Sequence, residues 1–266
     1  LYPELNTVYY PKVGEDNPII KLGIVNVRNR RIKWFYNEPE EDFYFPRAVW
    51  QNDKIIVFRL NRKQNQLDLV RFDPRYRRGE ILLTERDSCW IDIHDNIRIL
   101  KDGSFIWTSE RSGYNHIYHY DRNGTIINQL THGDWEVRKI IDINEETNII
   151  YFTATKVSEL ENHLFSISLY NGNLIQITQE SGWHSVAISP TKSRIIDSWS
   201  NIMTPTTHLV KNIDGKNIST ISKPDKSKFD KLYWTYPDFI KVQTSDGVFL
   251  NAIITLPWNF DKSKSY

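Results

Sequence analysis

The chain has 266 residues, and its 34 Lys and Arg residues against 33 Asp and Glu residues leave a formal charge of +1. This balance gives neither the basic footprint expected for nucleic-acid binding nor an acidic tail. Aromatic residues make up 13% of the chain, and their apolar faces can build a sizeable core, which excludes a disordered chain. No run of 18 apolar residues occurs, so no segment is predicted to span a membrane. Cys89 is the only cysteine, which excludes an intramolecular disulfide.

Short β-branched and aromatic runs alternate with turns rich in Asn, Asp, Gly and Pro, while helical periodicity is almost absent. Four such runs each follow a polar turn and lead into two further strands: Ile55–Phe58, Phe105–Thr108, Ile149–Phe152 and Arg194–Asp197. At spacings of 50, 45 and 45 residues, the turn recurs at Asp53, Gly103, Asn148 and Ser193. Repeats of about 40 to 50 residues with four strands each are typical of β-propeller blades. The sequence therefore predicts an all-β fold, a partial β-propeller.

Two further segments flank the repeats. Residues Ile19–Trp34 contain two short strands and are predicted to be the tail of an earlier blade, which gives about four to five blades in all. The polar stretch Lys223–Lys228 predicts a linker, and the strand pair around Ser245–Gly247 does not repeat the blade pattern. We therefore predict propeller blades over residues 1–225, and a linker with the first strands of a different domain over residues 226–266.

Motif searches give no local signature of catalysis. The patterns G-x-S-x-G and H-E-x-x-H and the phosphate-binding glycine loops do not occur. His116 and His119 would lie on opposite faces of a strand, so no metal site is predicted. Cys89 is predicted to be a buried small apolar residue rather than a nucleophile. The carboxylate pair Glu40-Glu41 could bind an amine, or it could form a solvated turn.

Three clusters of polar and aromatic residues are denser than a solvated surface requires: Trp90–Asp95, Ser109–His116 and Gly182–Ser185. Their aromatic groups could fill gaps between blades while their polar groups satisfy turns. Alternatively, some of them could line the mouth of a cavity where the blades meet a partner domain.

Five segments in chain order carry a family resemblance: Tyr10–Pro18 (sequence YPKVGEDNP), Phe58–Asn65, Trp107–Tyr118, Leu130–Val137 and Thr244–Asp261. They are similar to segments of the dipeptidyl peptidase IV-like serine peptidases, which belong to the prolyl oligopeptidase superfamily. The last segment resembles the entry into the α/β-hydrolase domain of that family. The resemblance covers essentially the whole chain.

The resemblance implies an eight-bladed propeller joined to a hydrolase domain that carries the Ser, Asp and His triad. Such enzymes remove N-terminal dipeptides with Pro or Ala second, and their propeller positions the peptide. We therefore expect this chain to contribute no catalytic residue, no metal and no cofactor. The expected partners are a peptide with a free N-terminus and the chain's own hydrolase domain. The resemblance further implies a homodimer and a periplasmic or extracellular location.

The first two clusters hold the candidate substrate-binding residues. Trp90–Asp95 is similar to a family loop that contributes an aromatic residue and an arginine to extended substrate subsites. His94 falls near the aromatic position, and no arginine is present in the loop. From these two clusters we expect four residues to contact substrate: Trp90, His94, Arg111 and Tyr114.

Two alternative functions remain open. The chain could be a propeller that only binds partners, because a fold does not determine a function. It could also belong to a catalytically inactive member of the family. A G-x-S-x-G motif encoded beyond Tyr266 would favour the peptidase, and a stop codon there would favour the binding module.

Overall fold

The computed structural model describes residues 3–35, 42–76, 79–225, 227 and 235–265, and these residues form β-strands β1 to β21. No α-helix occurs within these ranges, and hence no helix that could cross a membrane. The all-β prediction is confirmed. The chain divides into two compact units, Leu1–Thr131 and His132–Tyr266.

The first unit contains a hairpin and two larger antiparallel sheets. The hairpin pairs β1 (Gly23–Val25) with β2 (Ile32–Trp34). The five-stranded sheet contains β3 (Phe43–Tyr44), β4 (Ala48–Gln51), β5 (Lys54–Asn61), β6 (Gln66–Phe72) and β7 (Gly79–Arg86). The four-stranded sheet contains β8 (Arg98–Ile99), β9 (Phe105–Ser109), β10 (His116–Tyr120) and β11 (Ile126–Gln129).

The two larger sheets of the first unit share one apolar core, to which β5, β6, β7, β9 and β10 all contribute. Phe58 and Trp107 meet edge to face with ring centroids 5.4 Å apart, and Phe105 stacks on Tyr120 at 5.0 Å. Aromatic pairs in these geometries each add about 1 kcal/mol beyond the area that they bury. The aromatic-rich runs of the sequence therefore hold neighbouring sheets together.

The second unit contains two four-stranded antiparallel sheets and a hairpin. The first sheet contains β12 (Val137–Asn144), β13 (Ile149–Ala154), β14 (His163–Ser168) and β15 (Leu174–Gln176). The second contains β16 (Trp183–Ile188), β17 (Arg194–Asn201), β18 (Thr204–Asn212) and β19 (Asn217–Ser222). The hairpin pairs β20 (Asp238–Gln243) with β21 (Phe249–Ile254). The apolar core of the second unit includes Tyr151, Leu164, Ile177 and Ile195.

The repeated turn has a common backbone conformation. A residue with positive φ, between 55° and 86°, lies one or two residues before the strand in each repeat: Asn52, Gly103, Asn148 and Lys192. Tight turns between antiparallel strands favour this conformation because it matches the right-handed twist of the strands. The strand after each turn is one of the four predicted runs, now β5, β9, β13 and β17.

The sequence pattern did not locate the strand that directly precedes each of the four predicted runs, namely β4, β8, β12 and β16. Of these, β8 has two residues, too few for a periodic pattern, and β16 alternates exposed and buried side chains within a segment that also looks like a polar cluster. These strands become visible only through their pairing with the following strand.

Candidate functional site

The ends of β7 and β9 in the first unit carry a hydrogen-bonded network centred on Glu85. Trp107 Nε1 donates to Glu85 Oε1 at 3.0 Å, and Ser109 Oγ donates to Glu85 Oε2 at 2.9 Å. Arg111 forms an ion pair with Glu85 and also donates from Nε to Ser109 Oγ at 2.9 Å. The Glu85 side chain is only 12% exposed, and three donors satisfy its carboxylate. Glu85 thereby fixes the position of the Arg111 side chain.

The guanidinium of Arg111 also lies over two tyrosine rings, 4.9 Å from the centroid of Tyr118 and 5.8 Å from that of Tyr120. Burial acts to lower the pKa of Arg111, but the charge and hydrogen bond of Glu85 hold it above its ordinary value. Burial raises the pKa of Tyr120 to about 12. A substrate carboxylate at Arg111 would therefore compete with Glu85 for the guanidinium.

His94 lies beside this network and presents an aromatic ring rather than a charge. Its Nε2 is 2.9 Å from the carbonyl oxygen of Thr108, which can only accept, so Nε2 donates. Its Nδ1 accepts from the Asn96 amide at 3.3 Å, as a neutral imidazole does. The ring centroid lies 4.3 Å from that of Trp107. Burial lowers the pKa of His94, in keeping with this neutral form.

Trp90 and Tyr114, the other two candidate residues, are exposed. Trp90 is 51% exposed and donates from Nε1 to Asp92 at 3.1 Å, while Tyr114 is 43% exposed in the loop between β9 and β10. The structure thus connects His94 to Arg111 through Trp107 and Glu85. Within the described residues, Trp90 and Tyr114 take no part in that hydrogen-bonded network.

The prediction that Cys89 is buried is wrong, because its side chain is exposed. Asp87 accepts hydrogen bonds from the amides of Cys89 (2.7 Å) and Trp90 (3.2 Å), and this local turn holds both residues in a surface loop. The pair Glu40-Glu41 lies outside the described residues.

His116 and His119 have different partners, as expected for opposite faces of one strand. Nδ1 of His116 lies 3.1 Å from Thr131 Oγ1, whereas Nε2 of His119 lies 3.2 Å from Ser104 Oγ. Each histidine is therefore held by a hydroxyl group on its own side of β10.

In the second unit, the cluster Gly182–Ser185 includes a buried ionic network. His184 is fully buried, with Nδ1 2.9 Å from Asp197 Oδ1 and Nε2 2.7 Å from the Glu180 carbonyl oxygen. The ammonium of Lys211 lies 2.7 Å from Glu180 Oε2 and 3.0 Å from Asp197 Oδ2. The polar groups of this cluster therefore satisfy one another inside the sheet formed by β16, β17 and β18.

Glu180, His184 and Asp197 bring three potential metal-ligand atoms within 4.8 Å of one another. The Lys211 ammonium, however, contacts both carboxylates and supplies the positive charge that a metal ion would bring. The donor set therefore fits an internal ion-pair network better than a metal centre.

A second polar group in this unit contains serine, glutamate and histidine in an order unsuited to nucleophilic catalysis. Glu161 contacts Ser181 with one carboxylate oxygen and His163 Nε2, at 2.8 Å, with the other. A serine nucleophile needs the histidine beside its hydroxyl group, but here the carboxylate lies between them. This arrangement is expected to stabilise the fold rather than to catalyse acyl transfer.

Four residues of these networks were not identified from the sequence: Glu85, Glu180, Asp197 and Lys211. Charged residues in or beside strands are ordinarily solvent-exposed, and residues 85, 180, 197 and 211 carry no shared motif. The one sequence signal that pointed towards these networks was the family resemblance of the segment Trp107–Tyr118. It includes Trp107, which donates a hydrogen bond to Glu85.

Comparisons with known proteins agree with this fold. The profile of the "Dipeptidyl peptidase IV (DPP IV) N-terminal region" matches residues 1–206. A probable dipeptidyl peptidase 4 from Aspergillus flavus is 24% identical over 283 residues, and a probable dipeptidyl-aminopeptidase B from Metarhizium robertsii is 26% identical over 304 residues. Both alignments cover the whole chain but only 37% and 32% of the relatives.

Solved structures give the same result. The crystal structure of Porphyromonas gingivalis dipeptidyl peptidase 4 superposes with a TM-score of 0.90 at 25% identity, over 97% of this chain and 37% of that one. A putative dipeptidyl aminopeptidase IV from Bacteroides ovatus superposes with a TM-score of 0.88 at 22% identity, over 99% of this chain and 41% of that one. The chain thus spans little more than a third of the length of these proteins.

Proposed function

This chain belongs to the family of the dipeptidyl peptidase IV N-terminal region, and from that premise we propose that it is the propeller portion of a serine peptidase that removes N-terminal dipeptides, with Pro or Ala second. The observation that carries the proposal is the profile match over residues 1–206, together with superposition on a dipeptidyl peptidase 4 over nearly the whole chain. In this role the blades bind and orient the peptide, and a hydrolase domain supplies the nucleophile.

We propose that Trp90, His94, Arg111 and Tyr114 form the surface on which the peptide lies. Trp90 and Tyr114 offer exposed aromatic faces, which suit contacts with proline rings and apolar side chains. His94 would act as a neutral aromatic wall supported by Trp107. Arg111, held by Glu85, would offer its remaining donors to peptide carbonyl groups.

The hairpin β20–β21 supports the proposed entry into a hydrolase domain within residues 226–266. Ile240, Val242, Leu250 and Ile254 share one face of this hairpin by register, and each is at least 39% exposed. A two-stranded hairpin is marginally stable alone and needs a further apolar layer. We also propose a homodimer and a periplasmic or extracellular location, on the family membership alone.

The test is a pair of peptidase assays with Gly-Pro-p-nitroanilide. The protein encoded by the complete gene should release p-nitroaniline, whereas the purified 266-residue chain should not. Turnover by the pure chain, or no turnover by the complete protein with any N-terminal dipeptide anilide, would contradict the proposal. The second outcome would favour a binding module or an inactive member of the family.

The substrate-contact proposal is tested in the complete protein with His94→Ala and Trp90→Ala. Both variants should raise KM for a peptide of five or more residues about tenfold while changing kcat little, because they remove binding present in ground and transition states alike. For the dipeptide anilide, KM should hardly change. An equal rise in KM for both substrates would indicate a structural role instead. The matched control is Tyr170→Ala, because Tyr170 is an exposed aromatic residue in the second unit.

A further inference from the structure

Two turns of the chain contain an asparagine followed by a glycine, namely Asn123-Gly124 and Asn171-Gly172. Residues 121–125 join β10 to β11 and residues 169–173 join β14 to β15, so each turn has five residues, with the asparagine third and the glycine fourth. Both glycines have positive φ, 88° and 63°. An Asn-Gly pair suits such a turn, but glycine has no Cβ to shield its amide nitrogen from the asparagine side chain. The two turns therefore offer a matched comparison of chemical lability.

The first turn is held by the carboxylate and the carbonyl group of Asp121. Asp121 Oδ1 accepts from the amides of Asn123 and Thr125, both at 2.8 Å, and the Gly124 amide donates to the Asp121 carbonyl oxygen at 3.1 Å. Gly124 also packs closely against β7, where an added Cβ would collide with the carbonyl oxygen of Leu82. The amide nitrogen of Gly124 is therefore engaged, and its backbone has little room to rearrange.

The second turn lacks this support, because the apolar Leu169 stands where the first turn has Asp121. Within the described ranges, the Gly172 amide has no hydrogen-bond partner, and a Cβ placed on Gly172 would meet nothing within 4 Å. Asn171 is exposed, and its Oδ1 accepts from the Asn173 amide at 3.2 Å. A donor in this position polarises the side-chain carbonyl group and stabilises negative charge that develops on its oxygen.

We propose that Asn171 is a site of spontaneous deamidation to isoaspartate in the folded protein, and that Asn123 is protected. The amide nitrogen of Gly172 forms a bond to Cγ of Asn171, an intramolecular attack between neighbouring groups. The Cγ–Nδ2 bond breaks, and Nδ2 leaves as ammonia with the proton that Gly172 gives up through solvent. Water then opens the cyclic imide at either carbonyl group, which leaves isoaspartate or aspartate at position 171. One water is consumed and one ammonia is released, with no oxidation or reduction.

The product changes the turn between β14 and β15 in two ways. Isoaspartate adds one carbon atom to the main chain, and its carboxylate adds one negative charge to the loop. The strand β15 has only three residues, Leu174–Gln176, and the register of a hairpin depends on the length of its turn. The modification should therefore loosen the pairing of β15 with β14. It does not depend on the proposed peptidase activity.

The test is peptide mapping by mass spectrometry after incubation of the complete protein at mildly alkaline pH. Methylation by an isoaspartate-specific methyltransferase distinguishes isoaspartate from aspartate. In the folded protein, position 171 should convert at least about tenfold faster than position 123, since the net free energy of one hydrogen bond changes a rate by about that factor. In concentrated urea the two positions should convert at similar rates, because neither turn is then formed.

Two variants test the chemistry at the second turn. Gly172→Ala should slow conversion because its methyl group shields the attacking nitrogen, and Asn171→Gln should abolish it because the larger cyclic imide closes far more slowly. Asn123→Gln is the matched control and should leave the rate at position 171 unchanged. Equal rates at the two positions in the folded protein, faster conversion at position 123, or no conversion at position 171 would each overturn the proposal.

Discussion

The ammonium of Lys211 lies 3.0 Å from Asp197 Oδ2, and both side chains are at most 1% exposed. The two residues lie diagonally across the adjacent strands β17 and β18, where Asp197 pairs with Leu209 and Ile195 with Lys211, and Glu180 and His184 complete the cluster. A buried lysine is costly unless carboxylates compensate its charge, so Lys211, Asp197 and His184 must be buried together, with the partly exposed Glu180 at the edge of the cluster.

Replacing Lys211 by Met should therefore leave two carboxylates with one fewer cation inside the sheet. We expect the variant to lose about 3–5 kcal/mol of unfolding free energy. Urea denaturation followed by tryptophan fluorescence measures this loss. Lys216→Met is the control, because the Lys216–Asp214 pair is mostly exposed and its removal should leave stability essentially unchanged. Equal effects of the two substitutions would contradict this account of the cluster.

The same cluster predicts a loss of stability in acid. Burial acts to raise the pKa of Asp197, but the hydrogen bonds and charges of His184 and Lys211 hold it below its ordinary value. A carboxyl group with a lower pKa in the folded state stabilises the fold above its unfolded pKa, about 3.9, and this contribution is lost as pH falls through the folded pKa. The unfolding free energy should therefore decline below about pH 4.

Asp197→Asn tests this assignment. The variant should be less stable than the wild type at neutral pH and should show a shallower decline of unfolding free energy between about pH 4 and pH 2.5. Urea titrations at a series of pH values give both quantities. An unchanged slope in the variant would show that other carboxyl groups control the acid transition.

The phenol of Tyr120 should ionise only at strongly alkaline pH. Burial raises its pKa to about 12, so the neutral phenol is favoured in the folded state. This contribution to stability is present below the ordinary pKa of about 10 and is lost as pH rises towards 12. The absorbance at 295 nm of wild type minus Tyr120→Phe should show one phenol that titrates near pH 12 or together with alkaline unfolding. A difference step at pH 10 in folded protein would contradict the prediction.

Gly124 occupies a turn where no other residue fits. Its φ is +88°, and a Cβ there would collide with the carbonyl oxygen of Leu82. Gly124→Ala should cost about 2–4 kcal/mol, from the left-handed conformation and from overpacking together. Gly113→Ala separates the two effects, because Gly113 also has positive φ but nothing within 4 Å of the added Cβ. That variant should lose only about 1 kcal/mol, as measured by thermal or urea unfolding.

Much of the architecture was predictable because hairpins are local. A turn at Asn148 and the apolar run Ile149–Phe152 depend on residues a few positions apart, so the repeat and its spacing follow from the order of residues. The family resemblance likewise rests on contiguous segments, such as Tyr10–Pro18. The exposure of Cys89 was missed, because residue type alone does not reveal that Asp87 holds its loop at the surface.

The candidate site was only partly predictable. The sequence pointed to His94 and Arg111, but it could not show that Trp107 and Glu85 join them. It also gave no reason to bury Lys211, since a lysine in a strand ordinarily faces water.

The local sequence pattern predicts the later strands of each blade, their turns and the blade repeat, and the resemblance of contiguous segments indicates the family. The pairing of Lys211 with Asp197 and the anchoring of Arg111 by Glu85 arise only in the folded chain. The reason is physical: hairpin formation involves neighbours along the chain, whereas the burial and compensation of a charge depend on which distant residues the paired strands bring within hydrogen-bonding distance.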